Sequence, residues 1–209
     1  MAKWSPDYPG QSGHIHISLQ NEDGSSAFFD ESAEDGMSPL MRSFVAGCQQ
    51  LMPEMLAMVA PTVNAFSRMV PGAWAPTNAT WGVENRTCAL RVIQGSAKSQ
   101  RLEYRVAAAD QNPYLALAAV LASGLYGIEN QLELAPGLVG NAYDQPTNPA
   151  LELPKTLWEA ADRFEASEAA KAMWGEDFVR HYAASRRWEE REFRKAITDW
   201  ELSRYFEII

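Results

Sequence analysis

Apolar and polar residues alternate along residues 14–19, HIHISL, and this period of two predicts a β-strand with one buried face. The alternation places His14, His16 and Ser18 on the same face, directly after a glycine-rich turn. Histidines on a solvent-facing strand would give this pattern, and so would a metal or phosphate site, because neutral imidazole is a common metal ligand. The strand alone leaves both interpretations open.

Similar patterns predict the rest of a sheet. Residues 21–24, NEDG, are typical of a turn, and residues 25–29 are predicted to return as the second strand of a hairpin. Residues 87–93 and 101–107 are predicted to form two more strands. One face of the last strand is expected to present Arg101, Glu103 and Arg105.

Capping residues mark where the first helix begins. Ser38 is its expected N-cap, and Pro53 is expected to break the helix or to start a second one that ends near Ala60. The proline-rich residues 61–80 are predicted to be largely loop. Loops of this length in compact domains are usually functional.

Helices dominate the second half of the chain. The pair Asn112-Pro113 is a strong start signal for an apolar helix. Residues 156–167 and a long amphipathic segment at residues 176–206 are predicted to be helical. Aromatic residues of the long segment are expected to pack in the core: Phe178, Tyr182, Trp188 and Phe193. The pattern predicts an α+β fold, an antiparallel sheet backed by helices with a helical C-terminal region.

Composition narrows the possible partners. The chain has 209 residues, 46% of them hydrophobic, and a net charge of −9, which argues against binding to nucleic acid or to an anionic membrane through bulk charge. Two cysteines, Cys48 and Cys88, are too few for a disulfide framework. No apolar run is long enough to span a bilayer. We therefore expect a cytoplasmic protein.

A local basic cluster interrupts this acidic chain. Six cations lie between residues 68 and 105 and are opposed only by Glu84 and Glu103. Guanidinium groups match phosphate and carboxylate oxygens, and a carboxylate with imidazoles could hold a hard cation. Phosphoryl transfer, a structural basic patch and binding of another anion all remain open. The six cations of this basic cluster are Arg68, Arg86, Arg91, Lys98, Arg101 and Arg105.

Four long motifs follow one another in the order of a known family. They are SGHIHISL, NAFSRMVPGAWAPTNATWGVENRTCALRV, RLEYRVAAADQNPYLALAA and FRKAITDWELSRYFEI. Together they resemble the C-terminal part of the glutamine synthetase family's catalytic domain. The resemblance implies that residues 1–209 are that portion, and that the N-terminal β-grasp domain and the first part of the catalytic domain lie outside this chain.

The resemblance also implies a role for each matching residue. The implied metal ligands are His14 and Glu103. The implied ATP contacts are His16, Ser18, Arg86, Arg91 and Lys98. The implied substrate contacts are Gly10, Arg68, Trp74 and Arg105, and Arg86 and Arg105 are the implied catalytic residues. Tyr143 falls near a tyrosine that some bacterial members adenylylate, and a packing role for it is equally open.

The implied reaction is ATP-dependent ligation of ammonia to the γ-carboxylate of glutamate through γ-glutamyl phosphate, with Mg²⁺ or Mn²⁺. One position departs from this pattern, because Trp74 replaces a glutamate of the ammonia-using members. A tryptophan cannot take a proton, and its apolar face suits a larger amine. The alternative is therefore a γ-glutamylamine or polyamine ligase, and Trp74 could equally well pack the loop.

The resemblance carries expectations about assembly. Family members form large homo-oligomeric rings with active sites between subunits, and His14 with Glu103 is an incomplete set of metal ligands. We therefore expect this chain alone to be inactive. A non-catalytic oligomeric scaffold is the remaining alternative, although a scaffold would not require the cations and the carboxylate of the basic cluster.

Overall fold

The computed structural model describes residues 1–72, 75–145 and 148–208. Its strands are β1 (Ile15–Ile17), β2 (Trp81–Val83), β3 (Leu90–Ile93) and β4 (Arg101–Tyr104). Its helices are α1 (Pro39–Val59), α2 (Val63–Phe66), α3 (Pro113–Glu129), α4 (Leu157–Ala166), α5 (Glu168–Trp174), α6 (Glu176–Phe193) and α7 (Asp199–Tyr205). Two short 3₁₀ turns, Ala142–Asp144 and Pro149–Leu151, lie between α3 and α4.

The four strands form one sheet in the order β1-β4-β3-β2. The β1–β4 and β3–β4 pairs are antiparallel, as the alternating pattern predicts. The β2–β3 pair is parallel, because residues 84–89 loop back to the start of β2, with Glu84 in the left-handed region at φ 50°. The α+β prediction is confirmed, and the sheet is mixed rather than wholly antiparallel.

The core forms where α1 crosses α3 behind the sheet. Glycines let the two backbones approach closely at this crossing: a Cβ on Gly127 would lie 2.8 Å from the Cα of Gly47 and would also collide with the Ser43 carbonyl. Phe44 fills the space beside Gly124 on the next turn. Glycines on both helices, together with Phe44 of α1 packed beside Gly124 of α3, thus produce close packing of the two helices.

Two expectations about helix ends differ from the structure. Pro53 lies inside α1, which runs unbroken to Val59, because both sides of the helix are buried and the lost hydrogen bond does not end it. The long C-terminal helix does break. It stops at Phe193, and a capping box between Thr198 and Glu201 starts α7.

Other boundaries also differ from the predictions. The turn at residues 21–24 is present with Gly24 at φ 81°, but the returning segment forms isolated bridges, Gln20 with Ser26 and Phe29 with Met37, instead of a strand. Each predicted strand is shorter than expected, and the predictions missed β2, α2 and α5. Of the aromatic residues of α6, Tyr182 is buried and Phe178 packs against the core, but Trp188 and Phe193 are about half exposed. Their core assignment was wrong, because the α6 face that they occupy lies outside the contact with α4.

Within the described part of the chain, no helix combines the length and the apolar character needed to cross a membrane.

The helix crossing gives a test of the fold. Gly127→Ala places a methyl group against the α1 backbone, so we expect the free energy of unfolding to fall by about 1–3 kcal/mol, as in other overpacked cores. Leu125→Ala, on the exposed side of α3, should change it by less than about 0.5 kcal/mol. Urea denaturation of this chain measures both, and an unchanged Gly127→Ala midpoint would contradict the packing described.

Candidate functional site

One buried carboxylate lies at the centre of the site. Glu103, on β4, is 5% exposed. Its Oε1 lies 3.0 Å from Nδ1 of His14 and 3.7 Å from Nε2 of His16. Its Oε2 accepts a hydrogen bond from Nη1 of Arg91 at 3.2 Å and forms an ion pair with Nη1 of Arg105 at 3.1 Å. Imidazoles thus contact one oxygen and guanidinium groups the other.

Strand register produces this arrangement. His16 pairs with Glu103 across the β1–β4 ladder, and Arg91 pairs with Glu103 across the β3–β4 ladder. Directly opposed residues point to the same face of a sheet, so these three side chains form one row. Arg105 lies two residues beyond Glu103 and shares its face. The structure thus places Arg101, Glu103 and Arg105 beside the histidine strand.

The charges around Glu103 keep it ionised. Burial raises the pKa of Glu103, but the charge and hydrogen bond of Arg105, with His14 and Arg91, outweigh burial and hold this pKa below its usual value. Burial, followed by the charge of Arg105, lowers the pKa of His14, and the nearby Glu103 offsets only part of this effect. A neutral His14 beside an ionised Glu103 offers lone pairs to a cation.

Further hydrogen bonds fix the two imidazoles and Arg91. His14 Nε2 lies 2.8 Å from the Ser12 hydroxyl, while Nε of Arg101 donates to His16 Nδ1 at 3.1 Å. Glu84 bonds Arg91 and also accepts from the Gln94 backbone N–H at 3.1 Å. The predictions gave Ser12 and Glu84 no site role, and they placed Arg101 in the basic cluster without assigning it a contact. The alternation of residues 101–105 indicated that Arg101 shares the face of Glu103. The contact between Glu84 and Arg91 depends on the parallel β2–β3 pair, which has no clear sequence signature.

A further arginine, Arg68, is more deeply buried than Arg105. Arg68 is 3% exposed, donates from Nη2 to the Val106 carbonyl, and keeps a buried Nε without a hydrogen-bond partner among residues 1–72, 75–145 and 148–208. Burial lowers the pKa of Arg68, and Asp110 partly offsets this. Gly10 packs on the Arg68 stem, where a Cβ would collide with the side chain and lie 2.7 Å from the Ala2 carbonyl.

Three of the predicted ATP contacts lie apart from the Glu103 cluster. Ser18, Arg86 and Lys98 are exposed, and among the described residues no hydrogen bond or ion pair joins them to Glu103. Arg86 lies in the loop between β2 and β3, and Lys98 lies in the turn before β4. Trp74 lies outside the described residues.

The donor set can be compared with what a divalent cation requires. Within the described ranges, no group of three or more histidine, cysteine, aspartate or glutamate side chains is arranged to hold a metal ion. His14 Nδ1 and Glu103 Oε1 lie close enough for one nitrogen and one oxygen to bind the same ion. This pair fits part of a Mg²⁺ or Mn²⁺ site, and the ion's other ligands would have to be water, substrate or residues beyond this set.

A strand-borne carboxylate with imidazoles and arginines on an α+β scaffold is typical of a domain that binds both a cation and an anionic substrate. A family model described as "Glutamine synthetase, catalytic domain" matches residues 1–205, and the chain belongs to this family. The resemblance of the four motifs is thereby confirmed.

The names of similar proteins describe either a glutamine synthetase or a synthetase of another gamma-glutamyl amide. The chain is 47% identical to the type-1 glutamine synthetase 2 of Dictyostelium discoideum over all of this chain and 40% of that protein. It is 45% identical to the gamma-glutamylethanolamide synthetase GlnA4 of Streptomyces coelicolor over 99% of this chain and 43% of that one. The structure of apo GmaS without ligand matches with a TM-score of 0.81 and 30% identity, over 95% of this chain and 45% of that one. The chain thus spans less than half the length of these relatives.

Removing the central charge tests the cluster. Glu103→Gln keeps the side-chain volume but leaves Arg91 and Arg105 without their shared counter-charge, so we expect the free energy of unfolding to fall by about 3 kcal/mol. Glu84→Gln, whose carboxylate is largely exposed, should cost less than about 1 kcal/mol. Thermal denaturation of the two variants compares them, and equal losses would show that Glu103 does not organise the cluster.

Proposed function

We propose that this chain is part of an ATP-dependent carbon–nitrogen ligase that joins an amine to the γ-carboxylate of glutamate. The observation that carries the proposal is the buried Glu103 carboxylate, with His14 and His16 at one oxygen and Arg91 and Arg105 at the other. Family membership and the names of the relatives support the same reaction class.

The first step activates the acid, because a carboxylate is a poor acyl donor. A γ-carboxylate oxygen of glutamate bonds to the γ-phosphorus of ATP while the bond from that phosphorus to ADP breaks. Arg91 and Arg105 neutralise the charge that develops on the phosphoryl oxygens, and Glu103 fixes both guanidinium groups beforehand. The acyl phosphate then carries a good leaving group.

The second step forms the amide. The amine nitrogen attacks the γ-carbonyl carbon, the bond to phosphate breaks, and the proton lost from nitrogen passes to a base. Arg68 binds a substrate carboxylate through its unpartnered buried Nε, with Gly10 packed on its stem. A divalent ion held in part by His14 and Glu103 would add Lewis-acid stabilisation of the phosphates.

His16, Ser18, Arg86, Arg91 and Lys98 are assigned to ATP in this proposal. Arg101 supports the assignment of His16, because its Nε holds the imidazole and its Nη1 donates to the Ser99 carbonyl beside Lys98 at 2.8 Å. Arg86, which is exposed in the loop between β2 and β3, keeps the phosphate contact that the family resemblance implies. Arg86 and Arg105 are the catalytic cations of this proposal.

A substituted amine is the proposed acceptor. Trp74 stands where ammonia-using members carry a glutamate, and a tryptophan wall suits a partly apolar amine. The relative from Streptomyces coelicolor is named for an ethanolamide product. Ammonia is the second candidate, which the name of the relative from Dictyostelium discoideum favours.

The proposal includes the setting of the reaction. We assign the protein to the cytoplasm, where the two buried free thiols, Cys48 and Cys88, would stay reduced. The family resemblance implies a ring of identical subunits, and the incomplete ligand pair of His14 and Glu103 among the described residues supports an inactive isolated chain. The missing ligands would then come from the rest of the catalytic domain and from a neighbouring subunit.

The acceptor can be tested by phosphate release from ATP with glutamate and one acceptor at a time, using the complete protein. Trp74→Glu restores a base, so we expect kcat/KM for ammonia to rise about tenfold relative to alkylamines, the scale of small pocket changes. Trp74→Phe keeps an apolar wall without a base and should give no such gain. If the ratio of kcat/KM for ammonia to kcat/KM for alkylamines were equal in the two variants, Trp74 would be excluded as a determinant of acceptor choice.

The substrate arginine can be tested through the glycine beneath it. Gly10→Ala displaces the Arg68 stem, so we expect the KM for glutamate to rise about tenfold or more, as misplacement of a binding group does. The KM for ATP should stay the same in the same assay, which makes it the internal control. If Gly10→Ala left the KM for glutamate and the KM for ATP both unchanged, Arg68 would be excluded as a contact of glutamate.

A further inference from the structure

Residues 2–11 form a loop whose two ends meet beside Arg68. The Gln11 backbone N–H donates a hydrogen bond to the Ala2 carbonyl at 2.6 Å and closes the loop. Gly10 lies at the same end, where a Cβ would collide with Cγ of Arg68 and lie 2.7 Å from the Ala2 carbonyl oxygen. The closed end of the loop thus lies directly against the Arg68 stem, so the position of Ala2 affects the position of Arg68.

One carboxylate holds the Ala2 end of this loop. Oδ2 of Asp110 accepts hydrogen bonds from the Ala2 backbone N–H and from the Thr62 hydroxyl, each at 3.2 Å. Asp110 lies two residues before Asn112, the N-cap of α3. Asp110 therefore ties the closed end of the loop to the start of a well-packed helix.

The same carboxylate reaches Arg68 by a second route, through helix α2. Thr62 is the N-cap of α2, and its Oγ1 accepts a hydrogen bond from the Ala65 backbone N–H at 3.1 Å. Arg68 follows this helix, and its backbone N–H donates to the Ala65 carbonyl at 3.2 Å. Asp110 thus holds the cap of the helix that leads to Arg68 as well as the loop that packs on the Arg68 stem.

The charge of Asp110 is compatible with a binding role for Arg68. This charge partly offsets the effect of burial, which lowers the pKa of Arg68. Asp110 does not occupy Nε of Arg68, because that atom has no hydrogen-bond partner among the described residues. An arginine side chain stays protonated in folded proteins, so Asp110 controls where the cation lies more than whether it is charged.

We propose that Asp110 is a positioning residue for glutamate binding, which fixes Arg68 through the Ala2 end of the loop and through the Thr62 cap of α2. The inference rests on the proposed ligase function, in which Arg68 binds a carboxylate of glutamate. Asp110 has no role among those that the family resemblance implies, and in this proposal it contacts no substrate. A displacement of a binding group by about 1 Å can lower a rate about a hundredfold, so the two supports of Arg68 matter.

The test measures phosphate release from ATP by the complete protein and determines the KM for glutamate and the KM for ATP separately. Asp110→Ala removes both hydrogen bonds, so we expect the KM for glutamate to rise about tenfold and the KM for ATP to stay the same. Asp110→Asn keeps an acceptor oxygen and should return the KM for glutamate to within about threefold of the wild-type value. Asp30→Ala is the matched control, because Asp30 also accepts two hydrogen bonds, both from Ser32, and should leave both constants unchanged.

A second pair of variants decides the question if Asp110→Ala does not fold, which circular dichroism would show. Thr62→Val replaces the hydroxyl that donates to Asp110 with a methyl group at nearly equal volume, and it should raise the KM for glutamate by a smaller factor. Thr62→Ser keeps the hydroxyl and should retain the wild-type KM. Equal values of this KM in the two Thr62 variants would overturn the inference.

The outcomes separate this inference from the function on which it rests. An unchanged KM for glutamate in a folded Asp110→Ala enzyme overturns the inference and keeps the ligase. So does a KM for ATP that rises equally, because the effect would then not be specific to Arg68, and so does a failure of Asp110→Asn to restore the KM for glutamate. Absence of phosphate release from the wild-type protein with every acceptor overturns both.

Discussion

The site depends on one register: the pairing of β4 with a strand on each side. That pairing places Glu103 opposite His16 and opposite Arg91, so a single carboxylate meets imidazole and guanidinium groups across two ladders. A shift by one residue would turn Glu103 to the other face and bring Leu102 or Tyr104 into its place. Both residues are fully or nearly fully buried behind the sheet, so the core strongly disfavours such a shift.

The helices hold this register by burying the other face of the sheet. Helix α1 contacts α3 and α4, and the close glycine crossing keeps α3 near the core without large side chains between them. Apolar burial is the main favourable term in folding, whereas the buried charges of the site are costly to desolvate. The packed helices therefore stabilise a sheet face that gains little stability from its own polar groups.

Sequence patterns predicted this site in part. Alternation is a local property, so residues 14–19 and 101–107 revealed which side chains share a face. Register is not local, and the contact of Glu84 with Arg91 needed the parallel pairing of β2 with β3. Pro53 was misjudged for the same reason, because tertiary burial outweighed the local proline signal, whereas the break before α7 follows the capping box of Thr198 and Glu201, a local signal that the periodic pattern concealed. The family resemblance supplied the roles that no pattern could.

The shared oxygen of Glu103 changes how variants of this protein should be interpreted. Arg91 and Arg105 both form ion pairs with Oε2, and Arg91 is also held by Glu84. Losing one guanidinium therefore alters the partner and the charge balance of the other, so the energetic effects of single substitutions do not sum. Double-mutant cycles are needed to apportion them. These side chains form one cooperative electrostatic unit, so replacing any one of them changes the charge environment of all the others.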